Sequence, residues 1–382
     1  MQATNLTRPM SHLWTVAQTT LRKENPCSVT STVSKILSRK FSINPQENTL
    51  RMLSVPVPLY AKKLASPVLT RIDLSELPKR SGYETHLKAI ALDSSGTVQD
   101  SGVLSVIHAF QKVFKDIARV EVTQEEVARS MGKRKDLHLQ EILSYESVQE
   151  RWKMVHGNYP TKDDGTKIFK YFPKIQLDIL SEQRYQEPIT GLEETIENVR
   201  SLGIKTFSTT GFLSGIDIFL WQAMSGVYAP SYPCDAEQTQ TGRPTAEMIL
   251  LGLSKTNTAP SQAIKVGDTC GDVAEGLNAH TWTVALSLTS VYVQKSEEEL
   301  KQLDAKTLEK LNSQSVATLA KEQPHYIAPG IWALTPIILQ VEALLRKGFH
   351  PFDFPLKETK DPLSLYSPAR LPEQVFSRPP SD

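Results

Sequence analysis

The ten residues ALDSSGTVQD, numbers 91–100, decide the fold of this chain. An apolar run over residues 87–92 ends abruptly at Asp93, and small polar residues follow over 94–97. A short apolar run bounded by turn residues is typical of a buried strand in a parallel sheet. Ligands of open α/β sheets bind outside the carboxyl ends of the strands, so Asp93 is a candidate functional residue.

Strand-like and helix-like patterns alternate between residues 86 and 290. Strand patterns recur at 204–208, 262–266 and 281–286. This alternation predicts an α/β fold with a Rossmann-like parallel sheet and helices on both faces. Two of these strands also end in polar residues, at Thr209-Thr210 and at Asp268, so we expect these side chains to lie near the end of the first strand.

A long helical block between the first two strands interrupts the alternation. Thr123-Gln-Glu-Glu126 forms a capping box, and residues 136–185 have helical patterns nearly throughout. We therefore predict a catalytic core made of residues 86–101 and 190–347, with an inserted α-helical cap domain over 102–189. A second capping box at 190–193 predicts the helix with which the core resumes.

Both ends of the chain differ in composition from the middle. Residues 1–46 contain a single acidic residue and six basic ones, which is typical of an organellar transit peptide. The stretch Arg39-Lys-Phe-Ser42 resembles a mitochondrial cleavage site, so we expect a mitochondrial location; an extension without an address, and a cytoplasmic protein, is the alternative. The rest of 1–85 is expected to be a linker or a loosely docked arm, and the Pro-rich residues 348–382 a disordered tail.

The overall composition excludes some partners. The chain has 43 basic and 42 acidic side chains among 382 residues, so it has no general attraction for nucleic acid or anionic membranes. No apolar run approaches the ~20 residues of a membrane span. Its three cysteines are far apart and have no metal-ligand spacing, which favours a reducing compartment.

Five motifs in order resemble the phosphonoacetaldehyde hydrolases, a branch of the haloacid dehalogenase superfamily. The resemblance extends from about residue 86 to 347. The motifs are DSSGT at 93–97, MGKRKDLH at 131–138, STTG at 208–211, GRP at 242–244, and KVGDT at 265–269 with Asp272 behind it. The resemblance implies a magnesium-dependent hydrolase with a Rossmann-like core and a helical cap, commonly a homodimer through the cap.

The resemblance also implies a mechanism. Most members of the superfamily have a second aspartate two residues after the nucleophile, and this chain has Ser95 there. Breaking a C–P bond leaves a carbanion, which a proton donor for oxygen does not assist. A lysine that condenses with an aldehyde gives an iminium, which accepts the electron pair. The resemblance therefore implies hydrolysis of phosphonoacetaldehyde to acetaldehyde and phosphate, with Lys135 as the Schiff-base lysine and Asp93 as the nucleophile that forms an aspartyl phosphate.

The same comparison of motifs implies the remaining roles. Mg²⁺ is held by the Asp93 side chain, the Ser95 carbonyl and Asp268, and Lys265 and Asp272 lie behind these ligands. The implied phosphonate ligands are Thr209, Thr210 and Arg243. His138 relays a proton to or from the Schiff base, and Met131 packs near the reaction centre.

Several alternatives stay open. The hydroxyl and Asp motifs also suit ordinary helix N-caps, the KRK run suits a solvated helix end, and His138 and Met131 suit structural positions. Ser94, Ser101 and Phe212 replace a Trp, an aromatic residue and a Tyr of the resembled branch. The protein could therefore act on another phosphonate, a phosphate ester or a haloacid, or be a catalytically silent relative that binds a ligand or partner.

Overall fold

The structure is a computed structural model in which an eight-stranded sheet forms the centre. It describes residues 53–72 and 87–371, except 214, 217, 218, 221–223, 225, 226 and 229. The strand order is β4-β3-β2-β5-β6-β7-β1-β8. The strands are β1 Leu69–Thr70, β2 Ala89–Leu92, β3 Lys205–Thr210, β4 Tyr232–Asp235, β5 Ala263–Gly267, β6 Trp282–Leu286, β7 Tyr326–Ala328 and β8 Ser367–Pro368.

Strand β2 is an inner strand of the sheet and is buried, as the sequence predicts. All four of its residues are buried, because helices cover both faces of a parallel sheet. It pairs in parallel with β3 and β5, and Leu92 lies between Ser208 and Val266. The chain continues from β2 to one side of it and later returns to the other, so a switch point forms at the carboxyl end of β2. The predicted α/β fold with a Rossmann-like core is confirmed.

Six of the α-helices between β2 and β3 form an insertion. They enclose a hydrophobic cluster of their own, which includes Phe110, Leu139 and Phe172. The capping box at Thr123 is present, because its side chain accepts from the backbone of Glu126 and the Glu126 carboxylate accepts from the Thr123 backbone. The helices are α1 Leu104–Val113, α2 Gln124–Ala128, α3 Lys135–Ser144, α4 Glu146–His156, α5 Lys162–Phe169 and α6 Phe172–Leu180.

The other described α-helices belong to the sheet layer. The predicted capping box at 190–193 is wrong: Gly191 is the N-cap, with a φ of 86°, and the Thr190 hydroxyl donates to Glu297 instead. Within the described ranges, no helix combines the length and apolar character that crossing a bilayer requires. These helices are α7 Leu192–Ser201, α8 Glu247–Thr256, α9 Cys270–Asn278, α10 Glu297–Gln302, α11 Ala305–Leu319 and α12 Leu334–Arg346.

The described parts of the two extensions are ordered, which corrects the predictions of a linker and a disordered tail there. Strand β1 pairs antiparallel with β7, and β8 pairs with β1, so both extensions enlarge the sheet. Tyr60 is fully buried, and its hydroxyl donates to Glu297 at 2.5 Å. Arg71 donates to the carbonyl of Phe354. The predicted transit peptide and residues 372–382 lie outside the described residues.

Candidate active site

A small cavity lies where the carboxyl ends of β2, β3 and β5 meet the helices between β2 and β3. Its volume is about 20 Å³, little more than one water needs. These helices are therefore closed over the sheet in this structure, and a substrate requires them to move. The lining residues are Asp93, Ser95, Val103, Val106, Met131, Gly132, Lys135, Thr210, Gly211, Phe212, Arg243, Asp268 and Thr269.

The turn before α3 reaches the sheet layer through its backbone. Gly132 has a φ of 91°, and a Cβ at this position would lie 2.8 Å from Oγ1 of Thr269. A Cβ on Gly211 would lie 3.3 Å from the carbonyl oxygen of Lys133. Glycine is required at 132 because both the left-handed backbone and the close approach exclude a side chain. The MGKRK stretch is thus seated directly on the loops after β3 and β5.

Lys135 brings the only amine that lines this cavity, among the described residues. It is the first residue of α3 and is 5 % exposed. Burial lowers the pKa of Lys135 from 10.5 to about 8, although Asp93 acts in the opposite direction. Lys133, two residues earlier, is half-exposed and pairs with Glu141. Burial is thus the main cause of the lowered pKa.

The structure does not bring His138 to the cavity. Its Nε2–H donates to the carbonyl of Val127 at 2.7 Å, and its ring lies 4.2 Å from the ring of Phe110, centroid to centroid. Burial, reinforced by the charge of Lys135, lowers its pKa to about 3. A neutral imidazole inside the hydrophobic cluster fits the structural alternative better than the predicted proton relay. Met131, by contrast, lines the cavity as expected.

The two predicted threonines separate because neighbouring side chains of a strand point to opposite faces. Thr210 lines the cavity. The Thr209 hydroxyl lies on the other face, where it accepts from Nζ of Lys265 at 2.5 Å and donates to Glu275 at 3.3 Å. Direct contact of the Thr209 side chain with a ligand in the cavity is therefore excluded in this conformation.

Arg243 connects the cavity to a buried group of charges. Its Nη2 lies 2.5 Å from Oδ1 of Asp93 and 2.9 Å from Oδ1 of Asp272, and its Nε donates to Glu275 at 3.0 Å. Lys265 pairs with the same two acids, at 2.8 Å from Asp272 and 3.2 Å from Glu275. The sequence motifs do not include Glu275. The sequence feature that could have identified it is its spacing from Asp272, because residues three apart on a helix share a face.

The three aspartates have different pKa directions. Burial raises the pKa of Asp93, and the Arg243 guanidinium opposes this. Burial together with repulsion from Asp272 and Asp93 raises the pKa of Asp268 well above its ordinary value. For Asp272, the attraction of Arg243 and Lys265 outweighs burial and lowers the pKa. The raised pKa values mean that negative charge on Asp93 and Asp268 is incompletely compensated by the described side chains.

These carboxylates fit a divalent cation. Oxygens of Asp93, Asp268 and Asp272 lie within 4.8 Å of one another. Asp268 Oδ2 accepts from the backbone of Val291, whereas its buried Oδ1 has no hydrogen-bond partner among the described residues. Mg²⁺ prefers carboxylate, carbonyl and water oxygens. Because Asp272 is occupied by Arg243 and Lys265, the better ligands are Asp93 and Asp268, with the adjacent Ser95 in the lining.

Two of the three departures from the resembled motifs have local partners. The Ser94 and Ser95 hydroxyls both accept from Nε2 of Gln99, at 3.3 and 3.1 Å. Ser101 donates to the carbonyl of Lys295 and does not line the cavity. Phe212 does line it, with its ring centroid 5.5 Å from Nζ of Lys135. Phe212 is the departure that a substrate would contact.

A parallel sheet that presents an aspartate cluster beneath a helical insertion defines a class of phosphoryl-transfer and hydrolytic enzymes. The model of the haloacid dehalogenase-like hydrolase family matches residues 90–286, and the chain is an enzyme of this family. Its fold and its cluster of aspartates at the strand ends agree with this assignment.

Its relatives include phosphonoacetaldehyde hydrolases. The chain is 31% identical to that of Bacillus cytotoxicus over 258 residues, which are 67% of this chain and 97% of the relative. It is 29% identical to the bifunctional phosphonoacetaldehyde hydrolase/aminoethylphosphonate transaminase of Clostridioides difficile, over 75% of this chain and 45% of that longer protein. A solved phosphonoacetaldehyde hydrolase-like protein from Oleispira antarctica is similar in structure, with a TM-score of 0.68 and 27% identity over 72% of this chain and 99% of that one.

Proposed function

We propose that the enzyme hydrolyses the C–P bond of phosphonoacetaldehyde to acetaldehyde and phosphate. The observation that carries this proposal is the buried amine of Lys135 in the same cavity as the Asp93 carboxylate. Burial lowers its pKa to about 8, so a useful fraction of the amine is neutral near pH 7. Imine formation by such an amine does not assist an oxygen leaving group of a phosphate ester, whereas it does assist the departure of a carbon next to an aldehyde.

The first step is condensation at Lys135. The neutral amine attacks the aldehyde carbon, and the carbonyl oxygen departs as water with both amine hydrogens. The imine nitrogen, Nζ, takes up one proton from solvent, which leaves a protonated imine. Phe212, Met131, Val103 and Val106 give the cavity an apolar wall, which favours loss of water from the adduct. The positive nitrogen then lies one carbon from the carbon that bears the phosphonate.

The second step transfers the phosphoryl group. An Asp93 oxygen bonds to phosphorus as the C–P bond breaks, and the electron pair of that bond moves through the carbon to the iminium nitrogen. The products are an aspartyl phosphate and an enamine on Lys135. The enamine carbon then takes a proton, water releases acetaldehyde from the imine, and a second water releases phosphate from Asp93.

The other charged groups act on the phosphonate. Arg243 and Thr210 line the cavity, which supports a role for both in binding the phosphonate oxygens. When bound by Asp93 and Asp268, Mg²⁺ supplies positive charge that permits a carboxylate to approach a phosphonate dianion. Lys265 and Asp272 hold Arg243 and the loop after β5 in place.

Borohydride trapping tests the proposal. Reduction in the presence of phosphonoacetaldehyde should leave a stable alkyl group on Lys135, detectable by peptide mass spectrometry. Lys135→Arg should abolish both the trapped adduct and phosphate release. The matched control is Lys133→Arg, which alters an exposed lysine two residues away and should preserve both. Phosphate release should also require added Mg²⁺ and stop on chelation.

Other outcomes separate the alternatives. Turnover of a phosphate ester that Lys135→Arg leaves unchanged would contradict the imine mechanism and indicate a different hydrolase of this family. Binding of phosphate without release from any substrate would indicate a catalytically silent relative. An adduct on another lysine would move the Schiff base to a different residue.

We also propose a homodimer through the cap and import into mitochondria. Helix α4 exposes Met154 and Val155, at 77% and 51%, which supports an apolar contact surface. Met154→Lys should shift the sedimentation coefficient from dimer to monomer if this surface is the interface.

The basic composition of residues 1–46 supports import, and a fluorescent fusion of this segment should co-localise with mitochondria.

A further inference from the structure

Glu275 is a fully buried carboxylate that does not line the cavity. It lies on α9, and its Oε2 accepts hydrogen bonds from Nε of Arg243 at 3.0 Å and from the Thr209 hydroxyl at 3.3 Å. The same oxygen forms an ion pair with Nζ of Lys265 at 3.2 Å. An ionised carboxylate without water is unfavourable unless it is paired and hydrogen-bonded. Arg243, Lys265 and Thr209 thus converge on one oxygen of Glu275, which restricts the position of each side chain.

The guanidinium of Arg243 has five N–H donors, and the structure accounts for three. Nε–H donates to Glu275. Nη2 faces Asp93, Asp272 and the carbonyl of Thr209. Nη1 donates to no group in the described part of the chain, although Arg243 lines the cavity. The two hydrogens of Nη1 are therefore the ones available to a bound anion.

The direction of Nη1 depends on the bond to Glu275. A guanidinium is planar and rigid, so contacts at Nε and Nη2 together determine where Nη1 points. Asp93 and Asp272 both attract the group at Nη2. Without the carboxylate at Nε, the plane can rotate towards these two acids, and Nη1 then turns away from the ligand.

We propose that Glu275 is a positioning residue that orients Arg243 so that Nη1 faces the phosphonate. This inference rests on the proposed function only in assigning Arg243 to the anion. Glu275 itself touches neither substrate nor metal ligand. It acts through the arginine, and its partner Lys265 holds it from the other side.

A double-mutant cycle on anion binding tests the inference. The probe is inorganic phosphate, titrated into the Mg²⁺-loaded full chain and followed by phosphorus NMR. Glu275→Gln should weaken phosphate binding about 10- to 100-fold, the range of one charge-assisted hydrogen bond. In an Arg243→Lys background, which has no Nε fork, the same change should weaken binding by less than about 3-fold.

Controls distinguish positioning from general damage. Glu126→Gln removes another buried carboxylate that pairs with an arginine, Arg151 in the cap, and should leave phosphate binding unchanged. Glu275→Asp keeps the charge but shortens the side chain; it should weaken binding less than Glu275→Gln, and it serves as the test if the amide variant does not fold. Thermal unfolding of every variant identifies losses that are merely structural.

Two results would overturn the inference: unchanged phosphate binding in Glu275→Gln, or an equal loss in both backgrounds. The outcome is separate from that of the proposed function. A borohydride adduct on Lys135 with no effect of Glu275→Gln removes the positioning role alone. A strong coupling between Glu275 and Arg243 without C–P cleavage removes the proposed reaction alone.

Discussion

Replacing Lys135 with methionine should stabilise the protein while abolishing its activity. The pKa of Lys135 lies at about 8 in the folded protein and at 10.5 for an exposed lysine. Each pKa unit of this difference corresponds to ~1.36 kcal/mol. At a pH where the unfolded chain carries the proton, burial of the amine therefore lowers the free energy of unfolding by about 3 kcal/mol. Methionine has a similar length and no charge, and it fits beside Met131 and Phe212.

The sign of the pH dependence follows from proton binding. Between pH 8 and 10.5 the unfolded chain holds a proton on Lys135 that the folded protein lacks, so the free energy of unfolding of the wild type rises through this window. The advantage of Lys135→Met should therefore be about 3 kcal/mol at pH 7 and about 1 kcal/mol at pH 9.5. The ascending limb of kcat/KM in the wild type should have an apparent pKa of about 8.

The assay is thermal unfolding of the wild type and the variant in matched buffers at pH 7 and pH 9.5. About 3 kcal/mol corresponds to a Tm increase of several degrees at neutral pH, and the increase should shrink at the higher pH. Lys133→Met is the control, because that exposed lysine pairs with Glu141 at the surface and should show no such pH-dependent gain. Absence of a gain at pH 7, or an equal gain at both pH values, would refute the reasoning.

Three further changes probe the contact between the helical insertion and the sheet, the charge in the cavity, and the packing of Tyr60. Gly132→Ala places a methyl 2.8 Å from Oγ1 of Thr269 in a left-handed backbone and should lower kcat at least ~10-fold by obstructing closure of the insertion over the sheet. The control, Gly157→Ala, is also at positive φ but has no neighbour within 4 Å, so it should leave steady-state kinetics unchanged. Equal effects of the two changes would contradict the closure argument. Ser95→Asp adds a carboxylate to the cavity and should move the ascending limb of the pH–rate profile to higher pH; an unmoved limb would show that residue 95 does not act on Lys135. Tyr60→Phe removes the hydrogen bond to Glu297 and should lower the free energy of unfolding by ~1 kcal/mol with unchanged kcat, and a loss of activity instead would connect the arm to the site.

The central fold could be predicted because its pattern is local. The strand that ends at Asp93 is wholly apolar and is followed at once by turn residues, and a parallel strand buried on both faces requires this pattern. The strands of the extensions could not be predicted in this way. Leu69–Thr70 and Ser367–Pro368 contain two residues each, and they exist because they pair with chain far away in sequence. A composition rich in proline gave no sign of that pairing.

The candidate site could be predicted as a set of residues more fully than as a geometry. The motifs predicted that Asp93, Lys135, Arg243 and Asp268 share one site, and the structure has all four in the lining of one cavity. Two of them follow strand ends, Arg243 lies in the loop after β4, and Lys135 begins α3. They did not distinguish the two threonines of β3, since one residue of register decides which face each occupies. Nor did the motifs predict where His138 lies. It follows Lys135 by about one turn of α3, and its ring packs against Phe110 of the hydrophobic cluster.

The hydroxyl at position 95 follows from the electrostatics of the cavity. Asp93 and Asp272 already add to the burial that raises the pKa of Asp268, and Asp93 opposes the lowering of the Lys135 pKa. A third acid in this lining would hold the amine in its protonated form, which cannot attack an aldehyde. In the proposed reaction such an acid would not assist the leaving group, because a departing carbon has no oxygen lone pair to protonate. Ser95 can accept from Gln99 without adding charge, so under the proposed mechanism an uncharged side chain at 95 helps to keep the pKa of Lys135 low.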